Sequence, residues 1–385
     1  MNNFYCAAPW RGLHINVRGD VKTCCASNPN MLGNLNSQSI EEILDGDTLK
    51  EIRKSLRQGI PHQQYCSGCI QRENHGGDSE RSWHNTVNES FDYINAGLDY
   101  EYPTIIDARW NTTCNLSCNY CGPADSSKWA SLKKISVSSD TRHYYTQVCD
   151  FIEKHYDQVK EVAMVGGEPL LLPENERLLD VIPPDCTVTV ITNLSNPLEN
   201  NRIFKKLSQR SRVGWSISFD NLGDRFEYVR YGASWKLMLH NLDLVQDLMK
   251  NNGHWGGIHA VYNLYNATRI QEFKKFADER GLSIRWQNIG HAVLNPRIYG
   301  KEIARLVLQE AQTVLDTCKV DDQEKELFKS MITHCKTQTQ SNIHALNKLK
   351  MFVDEIENKY HADKAGEFAR LWPEFGELLW PQNQH

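Results

Sequence analysis

The chain has 385 residues, and 43 Lys and Arg against 48 Asp and Glu give a formal net charge of −5. That length predicts two or three domains with a sizeable core, and the mild acidity, with no long basic run, argues against a broad nucleic-acid-binding face. No run of about 18 apolar residues is present and Met1 to Cys6 lacks a signal-peptide pattern, so a cytoplasmic protein without a membrane span is expected. Twelve cysteines in a reducing compartment read as metal ligands or catalytic groups rather than disulfides.

The first 99 residues open with Cys6, followed by apolar positions at Leu13, Ile15 and Val17 with a period of two, a Gly19-Asp20 turn, and Cys24-Cys25. This predicts a hairpin that brings Cys6 near Cys24. Gly33-Asn34 is a loop, Ser39-Ile-Glu-Glu42 a capping box that starts a helix, and Thr48 to Arg57 a second helix. Cys66 and Cys69 close the unit as a C-x2-C pair. Four thiols at this spacing suit zinc or an iron–sulfur cluster. Cys6, Gly19, Cys24, Gly33-Asn34, the Ile40 helix and Cys66-x2-Cys69 together resemble the SPASM/twitch auxiliary-cluster domain. The resemblance implies that Cys6, Cys24, Cys66 and Cys69 ligate one [4Fe–4S] cluster, with Cys25 a spare or an alternative to Cys24. In most such enzymes this domain follows the barrel; here it comes first. Residues 70–99 read as a polar connector that contains His75-Gly76-Gly77, Trp83, His84, Phe91 and Tyr93.

Residues 100–298 alternate strand and helix patterns, which predicts a parallel α/β sheet. The first strand, Thr104 to Trp110, leads into Cys114-x3-Cys118-x-Tyr120-Cys121. Three soft thiolates on one loop suit an iron–sulfur cluster or zinc, with incidental cysteines the bland alternative; on a [4Fe–4S] cube they would hold three irons and leave the fourth open. A helix is expected from Ser139 to Tyr156, then a strand Glu161–Val165 that ends in Gly166-Gly167-Glu168-Pro169. Glycines at a strand end permit close backbone approach, and the carboxylate can take an ammonium. Further strands are expected at Thr187–Ile191 with Thr192-Asn193 at the tip, Val213–Asp220, Gly257–Asn263 and Ile284–Ile289. Ligands of parallel α/β folds bind where strands end at their C-termini, and these motifs all fall there.

The cysteine loop and the glycine-glycine-glutamate segment one βα unit later resemble the radical S-adenosylmethionine (SAM) enzymes. The resemblance implies a partial (βα)6 barrel, a [4Fe–4S] cluster on Cys114, Cys118 and Cys121, and SAM held through Gly166, Gly167, Glu168 and Pro169. It gives Tyr120 the adenine, and Ser218, Asp220 and Arg230 the carboxylate and ribose. Thr192, Asn193, Asn263, Gln287 and Asn288 are further contact candidates at strand ends. The implied reaction is one-electron cleavage of SAM to methionine and a 5′-deoxyadenosyl radical, which takes hydrogen from substrate. A peptide or protein side chain is the expected substrate, a sugar, nucleotide or RNA base the alternative, and a non-catalytic iron–sulfur or zinc scaffold the third reading. A flavodoxin or ferredoxin is the expected reductant. Residues 299–385 carry helical patterns from Glu302, Glu324 and Ile343 and an aromatic tail around Trp372 and Trp380. Such a tail packs on its own domain, or more sharply covers the open side of the barrel. Cys149, Cys186, Cys318 and Cys335 fall in apolar patterns and read as inert buried thiols.

Overall fold

A computed structural model describes residues 4–27, 32–74, 79–87, 102–136 and 142–381. One nine-stranded sheet runs through it in the order β3-β2-β1-β4-β5-β6-β7-β8-β9. The strands are β1 (Gly12–Ile15), β2 (Asp20–Lys22), β3 (Gly33–Asn34), β4 (Ile105–Ala108), β5 (Glu161–Met164), β6 (Thr187–Thr192), β7 (Val213–Ser218), β8 (Trp255–Tyr262) and β9 (Ile284–Asn288). Strands β4 to β9 are parallel throughout, each separated from the next by at least one helix, and form the partial barrel. The six expected strands are therefore all present, with ends shifted by one or two residues.

The N-terminal hairpin is joined to the barrel. Strand β1 pairs in parallel with β4, with His14 opposite Asp107 and Ile15 opposite Ala108, so the barrel wall gains a seventh parallel strand. Strand β2 then turns back antiparallel to β1. Gly19 takes φ of 78°, and Asn16 Oδ1 accepts from the backbone N–H of Arg18 and Asp20, which fixes the turn. The Ser39 capping box forms as expected, with Glu42 N–H on Ser39 Oγ and Ser39 N–H on Glu42 Oε2.

Side chains alternate across the strands. On β4, Ile106 and Ala108 are buried, followed by Trp110, whose indole donates to Asn175 Oδ1 at 2.7 Å and packs on Tyr144 and Tyr145. Asp107 and Arg109 take the other, inner face and are half-buried. The polar connector expected over 70–99 is more ordered than that: helices occupy Ser67–Asn74 and Glu80–Val87. His75, Gly76, Gly77, Phe91 and Tyr93 lie outside the described residues, as does the start of the helix expected from Ser139.

The C-terminal helices, Lys301–Thr317, Asp322–Lys336 and Ile343–Glu355, pack on the β8–β9 end of the barrel. Lys274 and Glu324 form a buried ion pair at 2.8 Å, and the Trp286 indole donates to the same carboxylate at 3.1 Å. The aromatic tail seats Trp372, which donates to Tyr265 O at 2.8 Å. Among the described residues no helix is long and apolar enough to cross a membrane.

Candidate active site

The loop that carries Cys114, Cys118 and Cys121 is fixed by its backbone. Ser117 N–H donates to Tyr231 O, Asn119 N–H to Val229 O and Cys121 N–H to Cys118 O. Ser126 Oγ donates to Leu116 O at 2.7 Å, Cys114 N–H to Ser127 Oγ at 3.1 Å, and the Trp129 indole to Cys118 O at 2.8 Å. The three thiols lie within electrostatic reach of one another. Burial pushes the Cys118 and Cys121 thiols up to about 12 and raises Cys114. A thiol cluster this desolvated, with no disulfide, gains stability as thiolate only when a cation or cluster neutralises it. No group of three or more His, Cys, Asp or Glu among the described residues is drawn in around a single metal ion's position.

The segment after β5 is laced to the start of that loop. Gly167 N–H donates to Asn111 O and Glu168 N–H to Thr113 O at 2.8 Å. Gly166 has φ of 133°, a conformation closed to most side chains. A Cβ on Gly167 would lie 2.2 Å from Thr113 O. The close approach that the sequence suggested toward a ligand is, at Gly167, an approach to the thiol loop itself. Glu168 is fully buried, and burial raises its carboxyl to about 7 despite three donors: Asn193 N–H at 2.8 Å, Thr192 Oγ1 at 2.7 Å and Leu170 N–H at 3.2 Å. Asn193 Nδ2 reaches Cys114 Sγ at 3.9 Å. Thr192, Asn193 and Glu168 thus meet beside Cys114, and Pro169 starts the short helix that turns Glu168 inward.

A second knot lies on the other side of the loop. Arg230 is buried and pairs with Asp220 Oδ2 at 3.1 Å, and the Tyr120 hydroxyl donates to the same oxygen. Asp220 Oδ1 accepts from Val261 N–H at 2.6 Å, so this carboxylate ties three elements together. The Arg230 guanidinium stands 5.6 Å over the Tyr120 ring, and its Nε is buried without a hydrogen-bond partner among the described residues. Ser218 sits on the inner face opposite His259 in register, apart from this knot. Asn263, a contact candidate from sequence, is spent on its own turn: it donates to Val261 O and accepts from Tyr265 N–H. Gln287 and Asn288 are exposed.

Cys6, Cys24, Cys66 and Cys69 make a second nest of thiols, joined by mutual electrostatic reach, and Cys6 and Cys66 pack with a small core of Trp10, Ile52, Leu56 and Tyr65. Burial pushes Cys6 up to about 12 and Cys66 to about 11, and Cys6 feels both Cys66 and Cys69. Cys24 is raised by burial and then by Cys6, Cys25 and Cys69. Cys25 has different main neighbours, Glu80, Asp107 and Arg109, and is exposed. The neighbours thus separate the two: Cys24 shares its surroundings with Cys6 and Cys69, and Cys25 with the charges of Glu80, Asp107 and Arg109. Tyr65 closes the nest by accepting Thr23 N–H at 2.8 Å. Of the scattered cysteines, Cys149, Cys186 and Cys335 are buried and Cys318 is half-buried.

Three features escaped the sequence reading. Asp107 and Arg109 face inward from β4, which the polar alternation within an otherwise apolar run signals. His14 accompanies them from β1. His361, on the C-terminal segment, reaches Ser117 in the thiol loop at 3.2 Å, a long-range contact with no local signal.

Residues 110–276 match the model of the radical SAM superfamily, and residues 6–70 match that of SPASM, an iron–sulfur cluster-binding domain. A curated relative, 7-carboxy-7-deazaguanine synthase of Clostridium acetobutylicum, is 37% identical over 94 residues, covering 24% of this chain and 38% of the relative. Molybdenum cofactor biosynthesis protein 1 of Drosophila melanogaster is 24% identical over 175 residues, 45% of this chain and 29% of that protein. The chain therefore spans less than two fifths of the length of either, at most 38%. Among solved structures, anSMEcpe with bound AdoMet shares 16% identity at a TM-score of 0.40, over 56% of this chain and 62% of its own. Streptococcus suis SuiB bound to S-adenosylmethionine shares 14% at 0.41, over 79% and 68%.

Proposed function

We propose, for a chain that belongs to the radical SAM superfamily and carries a SPASM iron–sulfur domain ahead of its barrel, a radical oxidoreductase or maturase that acts on a peptide or protein side chain. The two domains imply [4Fe–4S] clusters and SAM. The observation that carries the reading is the meeting of the Glu168 carboxyl, Thr192 and Asn193 with Cys114, two strands apart in sequence and adjacent in space.

Bound there, a cluster and SAM would supply one-electron cleavage of the sulfonium and radical abstraction of hydrogen from substrate. Cys114, Cys118 and Cys121 are the proposed ligands that leave one iron open. Glu168, with its three donors already in place, would take the ammonium of the methionine moiety, and that cation would draw its raised carboxyl back toward the ionised form. Arg230, with its unpartnered Nε, would take the carboxylate of the same moiety. Asp220 positions Arg230 and Tyr120. The orphaned donor and the buried acid therefore fit a zwitterionic ligand, one for each charge. Gly166, Gly167 and Pro169 set the backbone that presents Glu168, and Tyr120 takes the adenine through its main chain. Ser218, opposite His259 on the inner face, is kept as a proposed contact for SAM. Cys6, Cys24, Cys66 and Cys69 are the proposed ligands of the auxiliary cluster, and a flavodoxin or ferredoxin the proposed reductant in the cytoplasm.

The peptide reading rests on the SPASM domain, which accompanies many radical maturases. A small heterocyclic substrate is the second reading, favoured by the 37% identity over 94 residues to the deazaguanine synthase. Anaerobic reconstitution tests the shared chemistry: two cubane clusters give about eight irons per chain. Cys114→Ala is expected to abolish SAM cleavage and to remove about half of that iron; cleavage at the wild-type rate defeats the assignment. Mass spectrometry of peptides and nucleosides after turnover separates the two substrate classes.

A further inference from the structure

The inner face of β4 carries a polar cluster that the SAM-binding knot does not use. Asp107 Oδ2 meets His14 Nδ1 at 2.8 Å across the β1–β4 pairing. Arg109 approaches the same carboxylate through Nε and one terminal nitrogen, both at 3.5 Å. These contacts are long for a charged pair, whose bonds settle near 2.7–2.9 Å. They occupy one edge of the guanidinium. The other terminal nitrogen has no hydrogen-bond partner among the described residues, and the Arg109 side chain keeps 34% of its surface exposed. Asp107 keeps 20% and His14 only 6%, so His14 braces the carboxylate from behind while Arg109 stands forward.

The N-terminal unit surrounds this cluster. Cys25, exposed beside the auxiliary nest, lies within electrostatic reach of both Asp107 and Arg109. The buried His84 of the helix Glu80–Val87 also feels Asp107. The cluster thus sits between the auxiliary nest and the barrel interior, on the wall that continues from Arg109 through Asn111 into the loop of Cys114.

We infer that Arg109, oriented by Asp107 and His14, is a substrate-anchoring residue that takes a carboxylate of the substrate. The fork of a guanidinium matches a planar two-oxygen acceptor and holds it in one orientation. Asp107 beside it leaves the cluster near neutrality, which favours a monoanion over the doubly charged phosphate. The carboxylate belongs to a Glu or Asp side chain or a chain terminus if the substrate is a peptide, and to a carboxylic acid if it is small. This inference rests on the radical SAM reading only for what happens after binding.

Calorimetric titration of the reconstituted holoenzyme with the monoanion butyrate and with its neutral twin butyramide tests it. Butyrate is expected to bind at least about tenfold tighter than butyramide. Arg109→Gln removes that discrimination, and Arg109→Lys, which keeps the charge and loses the fork, retains part of it. Equal binding of the two probes, no measurable binding of butyrate, or full discrimination in Arg109→Gln overturns the inference. SAM cleavage by the wild-type enzyme is read separately: its absence defeats the radical reading and leaves the titration result standing.

Discussion

At Gly167 the backbone leaves no room for a methyl group, because the nearest atoms are main-chain atoms of Thr112 and Thr113 rather than a side chain that can swing away. Gly167→Ala is therefore expected to push the Glu168 segment off the thiol loop, at a cost of about 3 kcal/mol or more, the upper end for overpacking. SAM binding should be lost while far-UV circular dichroism stays near native; SAM affinity within twofold of wild type, about 0.4 kcal/mol, runs against this account. The motif itself was legible, since glycines followed by an acid after a strand announce a ligand site. Its geometry was not. Nothing in Gly166-Gly167-Glu168 reveals that the second glycine makes room for the chain's own loop. Asp220 teaches the same lesson: sequence marks it as a contact, and its oxygens are taken up by Val261, Arg230 and Tyr120. The reading of Cys24 and Cys25 was left open by spacing and separates only through their neighbours.

The C-terminal helices were legible as amphipathic elements, but their docking was not, because periodicity marks which face is buried and never against what. A single π turn, Ile356–Tyr360, ends the helix Ile343–Glu355 and delivers His361 to Ser117. The His361 ring stacks on Tyr231 at 3.7 Å and 8°, and Trp129 packs beside it at 5.4 Å. Glu357 in the same turn is buried and accepts from Tyr228 Oη at 3.1 Å, Gly366 N–H at 2.8 Å and Phe368 N–H at 2.7 Å. Glu357→Ala orphans three donors and is expected to cost about 2–4 kcal/mol in denaturant unfolding. A loss under about 0.5 kcal/mol contradicts this placement. Burial also pushes the His361 imidazole down to about 4 from its ordinary 6.5, and His84 likewise. The fold favours the neutral rings, so the unfolded chain binds protons first. Stability should hold above pH 6.5 and fall as pH drops from there toward 4, by up to about 3 kcal/mol per ring. His361→Gln should flatten that slope; an unchanged slope assigns the titration elsewhere.

For the whole molecule, the alternation of strands and helices made the parallel barrel plain from sequence, and the cysteine spacing made the auxiliary unit plain. Their joining was hidden, because two short apolar strands 90 residues apart, Gly12–Ile15 and Ile105–Ala108, carry no mark of pairing with each other. A chain that starts at Tyr102 exposes the β4 edge and bares Ile106 and Ala108 to fraying. It is expected to aggregate or to melt non-cooperatively, and a sharp calorimetric transition at the native midpoint runs against a shared sheet.

That shared sheet also bears on charge movement. Four residue pairs clamp β1 to β4, and the two sulfur nests hang from opposite ends of those same strands: Cys6 and Cys24 flank the hairpin, and Cys114 follows β4. If both nests hold the proposed clusters, the separation between them is accordingly set by masonry rather than by a tether. Any tunnelling between the two would then be indifferent to solvent viscosity, and its tuning would come from potentials instead of distance.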